Sequence, residues 1–485
     1  MRQGRDVPAS TDTPEFRGTG RGAARRRRGS GTRLAVVAAV VGVLPSLVTG
    51  VAGASAAPAR AEAVTGFTDP TVGHAYRHGV IPRRVTAGAG EASTGATTPG
   101  SSGRLSGRRG GSSLLSYGGG PVVSGQPKVY LVFWGSQWGT QSTSNGYQVF
   151  SGDPVGAATD LQAFFAGLGS DKELWSTIAG QYCEGTTIGA TSCPLSAAHV
   201  AYPSGGVLAG VWEDTSFSPP TGPPGSPSTP GVTARQIAQE AAAASVHFGD
   251  SSANAQYIVV SPTGTNPDGW NAVRTGYCAY HNSTGAFLSG PDVAYTNLPY
   301  VTDAPGEACS AGLAASPAGS DAVTETAGHE YYETLTDGFQ TIAWLDARGN
   351  EIADKCESLA PGVPGGYFEL TLSTGTFPVQ GMWANNADNG RGACVDSELP
   401  ILVTNPGKQA MVDGTSVTVA IMAGDLFPGQ TLSYSATGLP AGLSINASSG
   451  VISGVPTGKG HSVVTVTVAD SSYTVHVSFT ATVKK

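Results

Sequence analysis

The stretch GHEYYETLTDGF, residues 328–339, followed closely by AWLDARGNEIADKC, residues 343–356, decides how this chain is read. Taken as a helix, the first half sets His329, Glu333 and Asp337 at successive four-residue steps, and side chains four apart share a face. Upstream, Glu325 and Asp321 continue the ladder, but each step precesses by about 40° on a helix of 3.6 residues per turn, so the outer members cannot all face one point. The claim narrows to His329 and Glu333, with Asp337 as a helix-ending or supporting group.

Zinc hydrolases place ligands on consecutive helical turns with a Glu beside the first His as general base. Here His329-Glu330-x-x-Glu333 keeps that spacing and puts a carboxylate where the second His would stand, an acceptable zinc ligand. A third ligand must come from elsewhere. Asp354 or Glu351 in GNEIADKC is the nearest acidic candidate, brought back by the turn at 348–350. Glu330 would then act as base on a water, with Tyr331, Tyr332 or His281 steadying a developing oxyanion. Three readings stay open: a zinc-dependent hydrolytic site, a calcium or structural metal site built from Asp337, Asp346, Asn350, Glu351 and Asp354, and a solvated acidic face in which His329 simply pairs with Glu325 or Glu333. G-x-S-x-G, Walker and Rossmann fingerprints are missing from the sequence.

At 485 residues the chain exceeds one ordinary domain. Only 13% of residues are charged, with 69 Gly and 32 Pro, so strands and loops should outnumber long surface helices. The formal charge of −8 conceals an asymmetry: residues 1–56 carry nine Arg against Asp6, Asp12 and Glu15. The remainder is strongly acidic, which argues against nucleic-acid and anionic-membrane partners. Arg25 to Arg28, an apolar run over 34–51 and Ala54-Ser55-Ala56 read as a secretory signal over 1–56, leaving an exported protein, soluble and monomeric, with no membrane association once the signal is cleaved. Six Cys fit export: Cys183 with Cys193, Cys278 with Cys309 and Cys356 with Cys394 is the simplest disulfide set.

Residues 57–120 read as a flexible pro-segment or linker, poor in large apolar residues apart from the islands HAYRHGVIPRRV and SSLLSYGGGPVV. An α/β core follows over 121–398. Its expected strands cover 129–134, 207–212, 256–261, 276–281 and 293–296; its expected helices cover 154–168, 170–178 and the run after Thr233, TARQIAQEAAAASVHF. A zincin-like α+β core is the variant that the helix motif suggests.

SLLSYGGGPVVSG before KVYLVFWG, then GYCAYHNS and GHEYYETLTD, resemble the motifs of the Exordium, or phosphate-induced protein 1, family. Secreted bacterial relatives with a HEY-x-E-x-x-TD helix and a W-x-D-x-x-GNE-x-x-D-x-C segment are more similar still. The likeness spans about 114–396. Gly118 stands where that family usually has His, and plant members tend to lose the acid matching Glu333. The resemblance implies a non-catalytic, cell-wall-associated, signalling or adhesion protein, the alternative to a secreted peptidase-type zinc hydrolase acting on extracellular peptide, protein or cell-wall glycan.

From residue 399 onward, Val/Thr-rich alternating runs are punctuated by Gly/Pro turns, the pattern of a small β-sandwich. GLPAGLSINASSGVISGVP resembles the immunoglobulin-like domains appended to bacterial secreted proteins, which implies attachment, spacing or carbohydrate contact for 399–485.

Overall fold

The apolar run KVYLVFW forms β1 (Lys128–Trp134), covered on both faces as a continuous apolar strand requires. The computed structural model describes residues 71, 74–83, 114–221, 231–272, 276–313 and 319–485; the signal read over 1–56 lies outside them. β1 joins β2 (Leu208–Asp214), β3 (Ala255–Val260), β4 (Tyr280–Ser283) and β5 (Ala294–Leu298) in a sheet ordered β2-β1-β3-β5-β4. The first four in that order run parallel, and β4 closes the edge antiparallel to β5. Parallel neighbours need crossovers. α1 (Ala157–Gly167) lies between β1 and β2, and α2 (Ala234–Phe248) between β2 and β3. Thr233 starts α2 through a capping box: its hydroxyl accepts from Gln236 N at 3.3 Å while Gln236 Oε1 accepts from Thr233 N at 2.9 Å.

Strand alternation then decides what faces what. Tyr130 stacks on Tyr257 at 5.0 Å and meets Phe248 of α2, so their side of the sheet belongs to α2. The opposite side carries Val129, Leu131 and Phe133 beside Gln256, Ile258 and Val260. Across it lies α3 (Asp321–Asp337), packed also on α1 through Phe165 and Tyr331. Gln256 pins α3 by donating from Nε2 to Thr334 Oγ1 at 2.8 Å and to Glu330 O at 3.2 Å. Thr296 of β5 pairs with Ile258 on one side and His281 of β4 on the other, so His281 also projects toward α3. The hairpin of β6 (Tyr367–Leu372) and β7 (Gly375–Gln380) covers the helix from outside. Every residue of α3 is buried, which excludes the solvated acidic face.

Two expectations change. Residues 170–178 are turns: Asp171 and Lys172 take positive φ, Glu173 accepts from Gly169 N and Ser176 N, and only a short 3-10 turn, Ile178–Gln181, follows. The described parts of the segment read as a flexible linker are packed. Residues 115–117 and 120 are largely buried against the core, with Ser116 and Tyr117 paired to Leu345 and Trp344, and residues 78–82 run beside 277–281, the start of β4 and the chain leading into it. The cause is local: these apolar and aromatic islands find partners on the core. All three disulfides pair in sequential order.

Beyond residue 400 the chain folds as a β-sandwich. One sheet holds Gln409–Val412, Thr474–Lys484, Gly460–Ala469 and Ser433–Thr437; the other holds Val417–Ala420, Val451–Gly454 and Leu443–Ile445. Val464, Val466 and Val468 point inward at period two onto Phe479, Ala481 and Ile452, forming a core of its own.

Candidate metal centre

Helix geometry places the cluster. From His329, residues 333, 337 and 330 follow at about 40°, 80° and 100° around the axis, one arc facing β4 and the loop at 351–354. Tyr332 falls about 60° to the other side, where its ring meets Trp175 at 4.6 Å and its hydroxyl donates to Trp175 O. Tyr332 is therefore not brought to the cluster. Gly328 lets Trp175 approach this closely, for a Cβ there would lie 3.1 Å from the indole.

Among the described residues two groups of donor atoms converge, each within 4.8 Å: His329, Glu333 and Asp354, and His281, Glu330 and Glu333. Glu333 belongs to both. In the first, His329 Nε2 lies 3.0 Å from Glu333 Oε1 and 3.7 Å from Asp354 Oδ1. In the second, His281 Nδ1 lies 3.3 Å from Glu330 Oε2 and 3.5 Å from Glu333 Oε2. Glu351 joins neither group, but its Oε2 stands 3.4 Å from His281 Nε2. Asp354 is fixed by donation from Glu351 N to its Oδ2, and its own N–H donates to Glu333 Oε1.

A residue with no sequence signal sets the tautomer of His329. Gln380, ending β7, donates from Nε2 to Ala353 O at 2.8 Å, which turns its Oε1 toward His329 Nδ1 at 3.0 Å. Nδ1 then donates to that oxygen, and Nε2 faces the two carboxylates. Among the described residues Nε2 makes no well-directed hydrogen bond there; neither do Glu330 Oε1, Glu333 Oε2, Asp337 Oδ2 and Glu351 Oε2, all buried, although Glu333 Oε2 and Glu351 Oε2 stand in ion-pair range of His281. Buried polar atoms in native proteins find partners, so these atoms mark the cluster as a candidate site.

The electrostatics agree. Burial opposes charge on both histidines, yet the carboxylates around them, Glu351, Glu330 and Glu333 for His281 and Glu333, Asp354 and Glu330 for His329, raise both well above the usual imidazole range. Burial pushes the Glu330 carboxyl up to about 8 and Asp337 up to about 7, and lifts Glu351 well above its usual range. Burial would raise Glu333 too, but His329 and His281 hold it below the ordinary range. Carboxylates outnumber the basic groups that face them.

The loop donors of the calcium reading divide. Asp346 is spent on its own turn, accepting from Arg348 N, Asn350 N and Nδ2 and from Lys355 Nζ at 3.1 Å, so neither it nor Asn350 reaches the cluster. Asp337 accepts from Ala343 N and stands behind His281, whose Nε2 is 3.4 Å from Asp337 O. Asp321 and Glu325 instead bind the loop at 310–313, through Ser310 Oγ, Gly312 N and Leu313 N to Asp321 and Ala311 N to Glu325. Two residues that sequence reasoning left out of the site belong beside it: His78, whose ring lies 6.1 Å from that of His281, and Gly79. The only signal for them was an aromatic and apolar island in an otherwise Gly/Ser-rich stretch.

With this geometry in hand, comparison with known proteins speaks to the other end of the chain. Residues 400–484 match the He_PIG family, "Putative Ig domain". The C-terminal segment is an immunoglobulin-like domain. No such support reaches the Exordium-like stretch, and no curated protein matches the chain. Among solved structures the chain is similar to one described as a putative alpha-galactosidase from Bacteroides fragilis, at 24% identity over 18% of this chain and 18% of that one, TM-score 0.16. Human protocadherin-24 EC1-2 is 14% identical over 18% of this chain and 46% of that one, TM-score 0.16, and the titin M3 domain 15% over 18% and 100%, TM-score 0.15. The chain thus spans under a fifth of the length of the first of these. The immunoglobulin-like domain contains no cysteine, and its core is closed by aliphatic packing instead.

Proposed function

We propose that the core is a zinc-dependent hydrolase of peptidase type, with His329, Glu333 and Asp354 holding the metal. One observation carries this: Gln380 fixes His329 so that its buried Nε2, which makes no hydrogen bond among the described residues, faces Glu333 Oε1 and Asp354 Oδ1 at 3.0 and 3.7 Å. One His nitrogen and two carboxylate oxygens are a reasonable zinc donor set, with the imidazole oriented from behind. Bound there, zinc would polarise a carbonyl and lower the pKa of a water.

Glu330, next to His329 on the same arc and outside that triad, is the group that takes a proton from the attacking water and returns it to the leaving amine. His281, between Glu330, Glu333 and Glu351, holds these carboxylates in place. A sheet of four parallel strands with one antiparallel edge strand, crossed by the ligand-bearing helix, is compatible with the zincin-like core. The three disulfides favour an oxidising, extracellular location, where the substrates would be peptides or proteins and the immunoglobulin-like domain would attach or space the enzyme on a cell wall. Metal analysis of the purified protein should find one zinc per chain, and Glu330→Gln should keep the zinc while losing turnover of a peptide library. Absence of zinc, or full activity in Glu330→Gln, would refute the reading.

A further inference from the structure

The outer edge of β4 is a row of backbone donors and acceptors beside the cluster, and part of this chain is already paired with it. His78 N donates to His281 O at 3.3 Å, and His281 N donates to His78 O at 3.1 Å. Ile81 N donates to Ala279 O at 3.2 Å, and Cys278 N to Ile81 O at 2.7 Å. Between these bridges the chain bows inward at Gly79, at φ 52°. A Cβ there would overlap Glu333 Oε2 and lie 2.8 Å from His281 Cε1, so bare backbone is what fits over the shared ligand of both donor groups.

The bow is clamped at both ends. Arg77, buried, pairs with Asp268 through Nε at 3.0 Å and lies 4.4 Å over the Tyr277 ring. The Tyr76 hydroxyl donates to the same carboxylate at 2.9 Å. Beyond the bow, Arg83 lies 4.7 Å over Trp270 and donates from Nη2 to Asn271 Oδ1 at 2.9 Å. Exposed sheet edges bind extended peptides by strand addition, with main-chain hydrogen bonds supplying affinity. His281 would serve both functions at once, its backbone receiving the strand while its side chain lines the cluster.

We propose that the outer edge of β4 is the subsite for an extended peptide substrate, bound by strand addition, and that residues 76–83 hold it as an intramolecular inhibitor. This rests on the zinc reading above, and it names both the substrate's conformation and the means of control. Turnover then requires the strap to leave, and its open fraction scales the apparent activity.

The test uses the full zinc-loaded chain and two variants that act differently: Gly79→Val, which crowds Glu333, and Arg77→Ala, which removes the clamp. The readouts are the rate at which a chromophoric chelator strips zinc and the rate of cleavage of a fluorogenic peptide library. Each variant, confirmed folded by its melting transition, should raise both rates by about tenfold, as a tenfold larger open fraction would. A synthetic peptide of the sequence of residues 74–83 should return Arg77→Ala to the slow rates, and a scrambled peptide should not. Folded variants with wild-type rates, or no effect of the peptide, would overturn the inhibitor while leaving the zinc reading intact. A wild-type chain without zinc would overturn both.

Discussion

Helix α3, which carries His329 and Glu333, and the strand Gly460–Ala469 of the immunoglobulin-like domain are both central to their units, yet they are buried in opposite ways. The strand follows the ordinary rule: Val464, Val466 and Val468 inside, with Thr465 and Thr467 less buried between them. The helix buries Asp321, Glu325, His329, Glu330, Glu333 and Asp337 along with its Tyr, Leu and Ala. Burying an apolar residue stabilises a fold; burying a carboxylate costs several kcal/mol unless something compensates it. The strand is accounted for by its own domain's stability. On the helix, Asp321 and Glu325 are met by the loop at 310–313, and the proposed metal would answer the charges clustered around His329.

The comparison breaks most sharply at His329. Replacing His329 by Ala should abolish stoichiometric zinc, measured by elemental analysis. It should also remove the zinc-dependent rise in melting temperature, since a ligand at a thousandfold over its dissociation constant adds about 4 kcal/mol. If zinc persisted in His329→Ala, α3 would be a polar helix without a purpose in metal binding. Gln380→Ala tests the same site from behind. With the Nδ1 partner gone, zinc affinity should fall by about 10- to 100-fold without vanishing, as read by competition with a chelator of known affinity. An unchanged affinity would mean that Gln380 merely fills space.

The immunoglobulin-like domain should respond in the other currency. Val466→Ala leaves a cavity in a core built of apolar side chains and should cost about 2 kcal/mol. Denaturant unfolding should show the loss in the transition of the sandwich, while zinc stoichiometry stays at its wild-type value. A change in zinc binding would show that the two units are energetically coupled.

The sandwich was legible because its period-two pattern and its turn sequences act locally, each over a few residues. The parallel strands were legible for a similar reason, as continuous apolar runs bounded by Gly and Pro. His329 and Glu333 could be named from a helical spacing, and the third donor could be narrowed to Asp354 or Glu351 from a nearby turn. Gln380 could not, for it arrives from a hairpin 51 residues away and looks like any polar strand-end residue. Residues 76–83 were hidden for another reason. Their partners, Asp268 and Tyr277, lie about 190 to 200 positions further along, and composition reports only what surrounds an island, not what it docks on. The turns at 170–178 were misjudged because Glu173 folds back on Gly169 and Ser176, a local competition with the helix that propensity does not weigh.

The smallest effect we expect lies on the α2 side of the sheet, where a buried acid has no part in the cluster. Burial, reinforced by the Asp214 carboxylate on β2, raises Glu240 of α2 to about 8. An unfolded Glu titrates near 4.3. Between those values the folded chain holds a proton that the unfolded chain has released, so stability is fully present at the acid end and declines as pH rises toward 8. Some water reaches this carboxyl, so only part of the difference should survive, and a single unit amounts to about 1.4 kcal/mol. Glu240→Gln, fixed in the neutral form, should flatten the fall in melting temperature between pH 5 and 8 and leave zinc content unchanged. If the slope were the same in both proteins, Glu240 would be ionised in the folded state, and an uncompensated acid would lie outside the cluster as well as within it. The contrast between α3 and the rest of the molecule would then lose its force.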